Sequence, residues 1–258
     1  MNPFKEIWDY RQMIRTLVKR DLITRYKGSV LGFLWTFINP LFQLVIYAVV
    51  FSLIMRVPGV KNYAMYLFVA LVPWIFFTTS VVGGSTCVIA SAGLIQKIYF
   101  PRIVLPIVTV CSNFINMLLT FIIVFAALLI TGWGVSEYAW FLPVIMIIEF
   151  FFVLGLVFVF SALTVYFRDL EHILNIITMA WFYLTPILYT MDMIPRQFLG
   201  LAYANPMTSV VVFYRNILYD KVMPDLSTLL FTVVFAAVFV VVGYFLFQKL
   251  QKKFAEGL

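Results

Sequence analysis

Six long stretches of the chain are almost entirely apolar, and each carries at most one charged side chain. A helix needs about 20 mostly apolar residues to cross the hydrocarbon core of a bilayer, and each stretch approaches or exceeds that length. The pattern predicts an all-α membrane protein, one domain built of six transmembrane helices. The predicted spans cover residues 28–55, 63–85, 103–131, 139–166, 173–190 and 226–247.

A further uncharged stretch, residues 197–214, is split by Asn205-Pro206 into halves that are too short to cross. With six spans, 13 of the 18 basic residues lie on the side of the two termini and five on the other side, which places both termini in the cytoplasm. A seventh crossing would weaken this asymmetry. We therefore predict a pair of re-entrant half-helices on the outer side, between the last two spans and bordering a wet cavity. An interfacial loop with an apolar underside is the alternative.

The N-terminal segment, residues 1–27, is basic and amphipathic, and it predicts a helix over residues 4–26 that lies in the membrane interface. Its apolar side chains share one arc of a helical wheel, mostly opposite the charged ones. That arc contains Phe4, Ile7, Trp8, Ile14, Val18 and Leu22.

Composition agrees with a membrane protein and argues against other classes. Hydrophobic residues make up 64% of the chain and charged residues 11%, against about 25% charged in soluble domains. The net charge of +7 is concentrated before residue 28, where seven basic residues lie, so membrane orientation explains it better than nucleic-acid binding. The sequence contains no GxxxxGK[ST], GxSxG or HExxH motif and a single histidine, His172. We therefore expect no catalytic site, metal or cofactor on this chain.

Uncharged polar and aromatic side chains recur at helical spacing within three predicted spans. An unpartnered polar group in hydrocarbon costs several kcal/mol, about 2–7, so these faces should point inward, either to line a pathway or to join helices. In the first and fifth spans aromatic side chains share the face, which favours a pathway suited to sugars. Those candidates are Thr36, Asn39, Gln43 and Tyr47 in the first span and Asn175, Thr178, Phe182, Thr185 and Tyr189 in the fifth. In the third span, Thr109, Asn113, Asn116 and Thr120 are interpreted as packing contacts.

Glu149 is the one acidic residue within a predicted span. An acid in the membrane is often functional, but without a basic partner it makes a poor proton relay. We interpret it as a hydrogen-bond acceptor inside the bundle, with a functional carboxylate as the alternative.

The segment of residues 89–102, IASAGLIQKIYFPR, follows the second span on the cytoplasmic side. It is apolar, then basic, and Pro101 ends it. A short helix here would present apolar side chains framed by charge, as docking surfaces do; a frayed helix end followed by a loop is the alternative. The presented residues would be Leu94, Ile95, Ile98 and Phe100, with Lys97 and Arg102 at the rim.

Several motifs, in order along nearly the whole chain, resemble one family. They are RYKGSVLGFLWTFINP (Arg25 to Pro40), IQKIYFPR (Ile95 to Arg102), FRDLEHIL with YLTPILY (Phe167 to Leu174, Tyr183 to Tyr189) and ANPMTSVVVFYRNILY (Ala204 to Tyr219). Together they resemble the transmembrane subunit of polysaccharide-exporting ATP-binding-cassette transporters, the O-antigen, teichoic-acid and capsule permeases of the type-2 exporter class.

This resemblance implies a homodimer in the cytoplasmic membrane that binds two copies of a separate ATPase subunit, with ATP and Mg on that partner. It implies that residues 89–102 form a coupling helix seated in the ATPase and that spans one and five line the channel. Residues 197–214 would lie at its outer mouth. The substrate would be a lipid-linked polysaccharide, whose pyrophosphate Arg25 and Lys27 could contact; positive-inside bias accounts for these two residues equally well.

Two other interpretations remain at the level of sequence. The first is a type-2 exporter of drugs or lipids, whose small apolar cargo would not require polar and aromatic stripes. The second is a membrane scaffold or enzyme subunit, which would have no ATPase partner.

Overall fold

The computed structural model describes residues 7–25, 27–29, 31–50 and 60–254. All regular secondary structure in these ranges is helical and none of it is strand, which confirms the all-α prediction. The main helices are α1 (Arg11–Thr24), α2 (Trp35–Val49), α3 (Tyr63–Ser85), α4 (Cys87–Ala90), α5 (Ala92–Ile95), α6 (Val104–Ile130), α7 (Leu142–Thr164), α8 (Leu170–Leu184), α9 (Leu199–Ala204), α10 (Pro206–Arg215) and α11 (Leu226–Leu250).

Among the described residues, four helices are long and apolar enough to cross a membrane. They are α3, α6, α7 together with the 3-10 turn before it, and α11, and they lie where four of the spans are predicted. Asp225 begins α11 as its N-cap, because its carboxylate accepts hydrogen bonds of 2.8 Å from the backbone N–H and the hydroxyl of Thr228. These bonds lower the pKa of Asp225 and satisfy a donor that a helix start leaves free.

The other two predicted spans contain shorter helices. Both α2 and α8 have 15 residues, a rise of about 22 Å against a hydrocarbon core of about 30 Å. Helix α2 begins at Trp35 rather than near residue 28, because Gly28 and Gly32 adopt positive φ angles of 85° and 48°, which a right-handed helix excludes. Residues 51–55 of the predicted first span lie outside the described residues.

Helix α8 ends at Leu184, so the fifth predicted span is not one helix through residue 190. Pro186 is the cause: a residue before proline is driven out of the helical region, and Thr185 has the extended angles φ −100° and ψ 134°. The chain therefore leaves the helix while still among buried side chains, since Thr185 and Ile187 are both fully buried.

Helices α7 and α11 pack against each other through glycines. A Cβ atom added to Gly155 would lie 2.5 Å from the backbone carbonyl carbon of Phe239, and one on Gly243 would collide with the Gly155 carbonyl oxygen. Small residues at such crossings let two backbones approach closely in membranes. The α7–α11 pair thus depends on the absence of side chains at these two positions.

We expect Gly155→Ala to destabilise the protein by about 1–3 kcal/mol, the usual cost of overpacking, because the Cβ meets backbone that cannot rotate away. The measurement is the melting temperature of the purified protein in detergent. Gly83→Ala, also within a helix but with no atom within 4 Å of its added Cβ, is the matched control and should melt at or above the wild-type temperature. Equal melting of the two variants would contradict the close-packed α7–α11 contact.

Helix α1 packs on the end of the bundle through Leu17 and Val18, which are buried, while Trp8 is 66% exposed. The apolar arc of the predicted interface helix is therefore divided: Val18 packs against the protein, whereas Trp8 is exposed to the surroundings of the chain. Phe4, the first member of that arc, lies outside the described residues.

Candidate functional site

The polar face of α2 lines a cavity of about 240 Å³ between α2, α3 and α6. Thr36, Asn39 and Gln43 contribute to its wall, and Thr36 is only 5% exposed. The side chain of Tyr47 lies outside the part that the structure describes. The opposite wall includes the polar row of α6, with Asn113, Asn116 and Thr120. The α6 row, interpreted from sequence as packing, thus faces the same space as the α2 stripe.

The stripe of α8 lies elsewhere, against α3 and α10. Thr178 is buried and donates to the carbonyl of Leu174 at 2.8 Å, whereas Asn175 is exposed. Phe182 packs edge-on against Trp74 of α3, with ring centroids 5.6 Å apart. No α8 residue lines the cavity beside α2, so the described part of a single chain does not join the two predicted stripes.

Asn205 organises the turn between α9 and α10, where the sequence predicts a break. Its carbonyl oxygen accepts from the backbone N–H of Met207 at 3.0 Å and from the indole N–H of Trp181 at 2.8 Å. Its amide nitrogen donates to the Thr185 hydroxyl at 3.0 Å. One side chain therefore caps α10 and fixes the end of α8 beside it.

The unwound segment after α8 is held by three side chains, which we term the carbonyl clamp: Tyr63, Tyr66 and Arg215. The guanidinium of Arg215 donates to the carbonyls of Pro186 and Ile187. The hydroxyl groups of Tyr63 and Tyr66 donate to the next two carbonyls along the segment, those of Leu188 and Tyr189.

The carbonyl clamp supplies the hydrogen-bond donors that these carbonyls lose when Pro186 ends the helix. Backbone at membrane depth must find hydrogen bonds outside a helix when the helix ends early, and here four successive carbonyls receive them from α3 and α10. Arg215 is 4% exposed, and its guanidinium carbon lies 3.6 Å from the centre of the Tyr66 ring. The sequence analysis did not predict this role of Arg215. Two features could have indicated it: an arginine at the end of an apolar half-helix, and a proline that interrupts a predicted span.

Glu149 is fully buried, and its Oε2 atom accepts a hydrogen bond of 2.7 Å from the Tyr214 hydroxyl. The Oε1 atom has no partner among the described residues. The Tyr214 ring stacks on Phe121 with centroids 5.4 Å apart. Glu149 therefore links α7 to α10, the acceptor role expected from sequence.

We expect Glu149→Gln to melt close to the wild type, because its amide oxygen still accepts from Tyr214. Glu149→Leu should cost about 1–3 kcal/mol, since it leaves a buried hydroxyl without an acceptor. Melting in detergent and the activity of the protein in cells, both measured on the two variants, separate the two roles of this residue. A Gln variant that melts normally but is inactive would show that the carboxyl group itself is functional.

The predicted coupling segment forms two short helices, α4 and α5, and then turns. Ile98 is 54% exposed and Lys97 is exposed, while Leu94 and Ile95 pack partly against the core. Phe100 is 6% exposed, so the expectation that it is presented at the surface is wrong. Its neighbour Tyr99, absent from the predicted set, is 95% exposed because the turn directs these two side chains to opposite sides.

Two of the remaining basic candidates, Arg102 and Arg25, have partners within the chain. Arg102 donates to the carbonyl of Gln251, and its guanidinium lies 5.8 Å from the Phe254 ring, which ties the segment to the end of α11. Arg25 forms an ion pair with Asp21 at 2.9 Å. Lys27 is exposed.

Comparison with known proteins identifies the family. The sequence profile of the ABC-2 type transporter family matches residues 12–219. The chain is 34% identical to an O-antigen export system permease protein RfbA of Myxococcus xanthus, over 98% of each chain. It is 36% identical to an RfbA of Klebsiella pneumoniae over 95% of each, and 23% identical to the polysialic acid transport protein KpsM of Escherichia coli over 91% of this chain and 92% of that one. With its several membrane-length apolar helices, this chain belongs to the ABC-2 type transporter family.

Proposed function

We propose that the chain is the membrane subunit of an exporter that moves a lipid-linked polysaccharide, of the O-antigen type, out across the cytoplasmic membrane. The observation that carries the proposal is the identity of 34–36% with permeases named for O-antigen export, over 95–98% of the chain. Polar and aromatic faces on short membrane helices suit such a cargo, because sugar hydroxyls bond to amides while sugar ring faces rest on aromatic rings.

Six crossings complete the proposed topology: the four long helices, plus the regions of α2 and α8. Both termini lie in the cytoplasm and α9–α10 form the re-entrant pair at the outer face. The chain acts as a homodimer. The exposure of Asn39 and Asn175, on helices whose stripes do not meet within one chain, supports a channel closed by a second copy.

Energy comes from two copies of a separate ATPase subunit that bind ATP and Mg. The sequence of this chain carries no phosphate-binding loop motif, and its family works through ATP-binding partners. Residues 97–99 present the exposed docking surface of the 89–102 segment. Arg25 and Lys27 lie where a lipid pyrophosphate would pass, although Arg25 must then exchange or share its bond to Asp21.

Deleting the gene for this chain in its host tests the proposed function. We expect loss of the surface polysaccharide, with the same polymer accumulating on its lipid carrier inside the cell; a plasmid copy should restore export. Antibody labelling of intact and permeabilised cells distinguishes the two locations. Unchanged surface glycan, with no polymer retained inside, would contradict the proposal.

A further inference from the structure

The cavity between α2, α3 and α6 has the chemistry of a binding site, in a place separate from the α8 stripe. Its volume of about 240 Å³ equals that of about eight liquid waters at ~30 Å³ each, enough for one sugar ring with its hydroxyl groups. Four amide side chains and three hydroxyl side chains converge on it. They are Asn39, Gln43, Asn113, Asn116, Thr36, Thr79 and Thr120.

Two buried polar atoms in this wall lack a partner among the described residues: Oγ1 of Thr36 and Oδ1 of Asn116. Other hydroxyls of the wall already have partners, since those of Thr79 and Thr120 donate to the backbone carbonyls of Ile75 and Asn116, respectively. A buried polar atom left unbonded costs about 1–3 kcal/mol, and a ligand in the cavity would recover this energy by bonding to these two atoms after a small rotation of their side chains. Asn116 Oδ1 accepts, while the Thr36 hydroxyl both donates and accepts.

The other residues of the cavity wall indicate which class of ligand fits it. Phe76, Ile75 and Met117 provide apolar surface, and the indole N–H of Trp35 is already bonded to Ser29 at 2.9 Å, so its ring adds to that surface. Among the described residues of the lining, the one that carries a charge is Arg25, which is paired with Asp21. An occupant that offers hydroxyl groups and apolar C–H faces without net charge matches this lining.

The cavity has a neighbour beside α1. A second cavity, of about 620 Å³, lies between α1, α4 and α6 and shares Arg25, Thr79 and Asn113 with the first. Its α1 wall contains Arg20 and Asp21, so it begins among charged groups at the end of the bundle. The two cavities therefore adjoin at the three shared side chains.

We propose that this cavity is a carbohydrate site within each protomer, which binds a single uncharged sugar unit between Thr36 and Asn116. The choice of a sugar rests on the proposed function, whereas the existence of a site for a neutral hydroxylated ligand rests on the cavity alone. The site uses the polar face predicted for the first span, lies apart from the α8 stripe, and gives the α6 asparagines a binding role.

Cysteine protection tests the site on the complex in membranes. In a background with Cys87 and Cys111 replaced by alanine, single variants Thr79→Cys and Gln43→Cys report on the cavity, and exposed Ser227→Cys is the control. The rate of modification by a small methanethiosulfonate is measured with and without methyl mannoside, methyl galactoside or methyl N-acetylglucosaminide. Glycine betaine at equal osmolality controls for solute effects.

With a Kd of ~10 mM, about 100 mM of a bound glycoside should slow modification at residues 79 and 43 by roughly tenfold and leave residue 227 unchanged. Adding Asn116→Leu to the residue 43 reporter should abolish protection. The proposal would be overturned if no glycoside changed the modification rate at the cavity positions, which would leave water as the only occupant. It would also be overturned if betaine slowed modification as much as the glycosides do, or if neither cavity position were modified at all. Because these rates are independent of export, a cell that exports polymer normally while showing no protection refutes the site and not the function.

Discussion

Arg215→Ala is expected to lower the melting temperature of the detergent-purified protein by about 6–12 °C and to abolish export. The substitution leaves the carbonyls of Pro186 and Ile187 without their donor and removes the bond to the Tyr66 carbonyl. Orphaned buried carbonyls cost about 1–3 kcal/mol each. A total of at least about 3 kcal/mol, at 2–4 °C per kcal/mol for a chain of this size, gives the stated shift.

Loss of export follows from the same contacts. The clamp fixes the unwound segment that connects α8 to the α9–α10 pair, so its release should displace the proposed outer mouth. Arg215→Lys separates geometry from charge: an ammonium keeps the charge but lacks the planar fork that reaches two adjacent carbonyls, and it should melt between the alanine variant and the wild type.

Arg196→Ala is the matched control for the clamp. Arg196 is an exposed arginine in the same connecting region, and its loss should leave melting and export unchanged. If Arg215→Ala behaved as Arg196→Ala does, the clamp would not hold the segment.

Replacing Ile98 and Tyr99 together by alanine is expected to weaken ATPase binding by about 700-fold or more and to stop export. Exposed anchors that enter a partner's pocket each contribute about 2 kcal/mol or more, and 1.4 kcal/mol is a tenfold change in affinity. Both side chains are largely exposed, so their removal should leave the fold intact. Copurification of the two subunits, followed by melting of the permease alone, measures the two effects separately.

Trp140→Ala is the control for this double variant. Trp140 is 70% exposed but lies at the opposite end of α7 from the cytoplasmic face in the proposed topology. Its loss should not affect copurification. Normal ATPase binding by the Ile98 and Tyr99 variant would contradict a docking role for residues 97–99. Phe100→Ala is a poor test of coupling, because Phe100 is buried and its truncation perturbs the fold.

The four long helices could be predicted from sequence because a continuous apolar run specifies both helix and membrane. The ends of helices within apolar sequence could not be predicted, as α8 illustrates. Pro186 predicts a kink, but whether the chain bends or unwinds there depends on hydrogen-bond donors from other parts of the chain. Those donors are Tyr63 and Tyr66, more than 120 residues before their acceptors, and Arg215, 28 and 29 residues after its own.

The polar character of the site could be predicted from the sequence, but the helices that face each other across it could not. Helical spacing assigned the polar faces of the first and fifth spans, yet spacing within one helix does not reveal which neighbour it faces. The structure places the α2 face opposite Asn113 and Asn116 of α6 and not opposite the α8 face. Likewise, the exposed side of the 89–102 segment depends on one turn, which buries Phe100 and exposes Tyr99.

The most direct test of the account is transport by purified components. Permease and ATPase are reconstituted in vesicles with the nucleotide-binding side outward, lipid-linked polysaccharide is supplied, and the polymer that becomes resistant to an added glycosidase is measured. The account predicts protection that requires ATP, both subunits and intact vesicles. Polymer that stays fully digestible with ATP and both subunits present would contradict it.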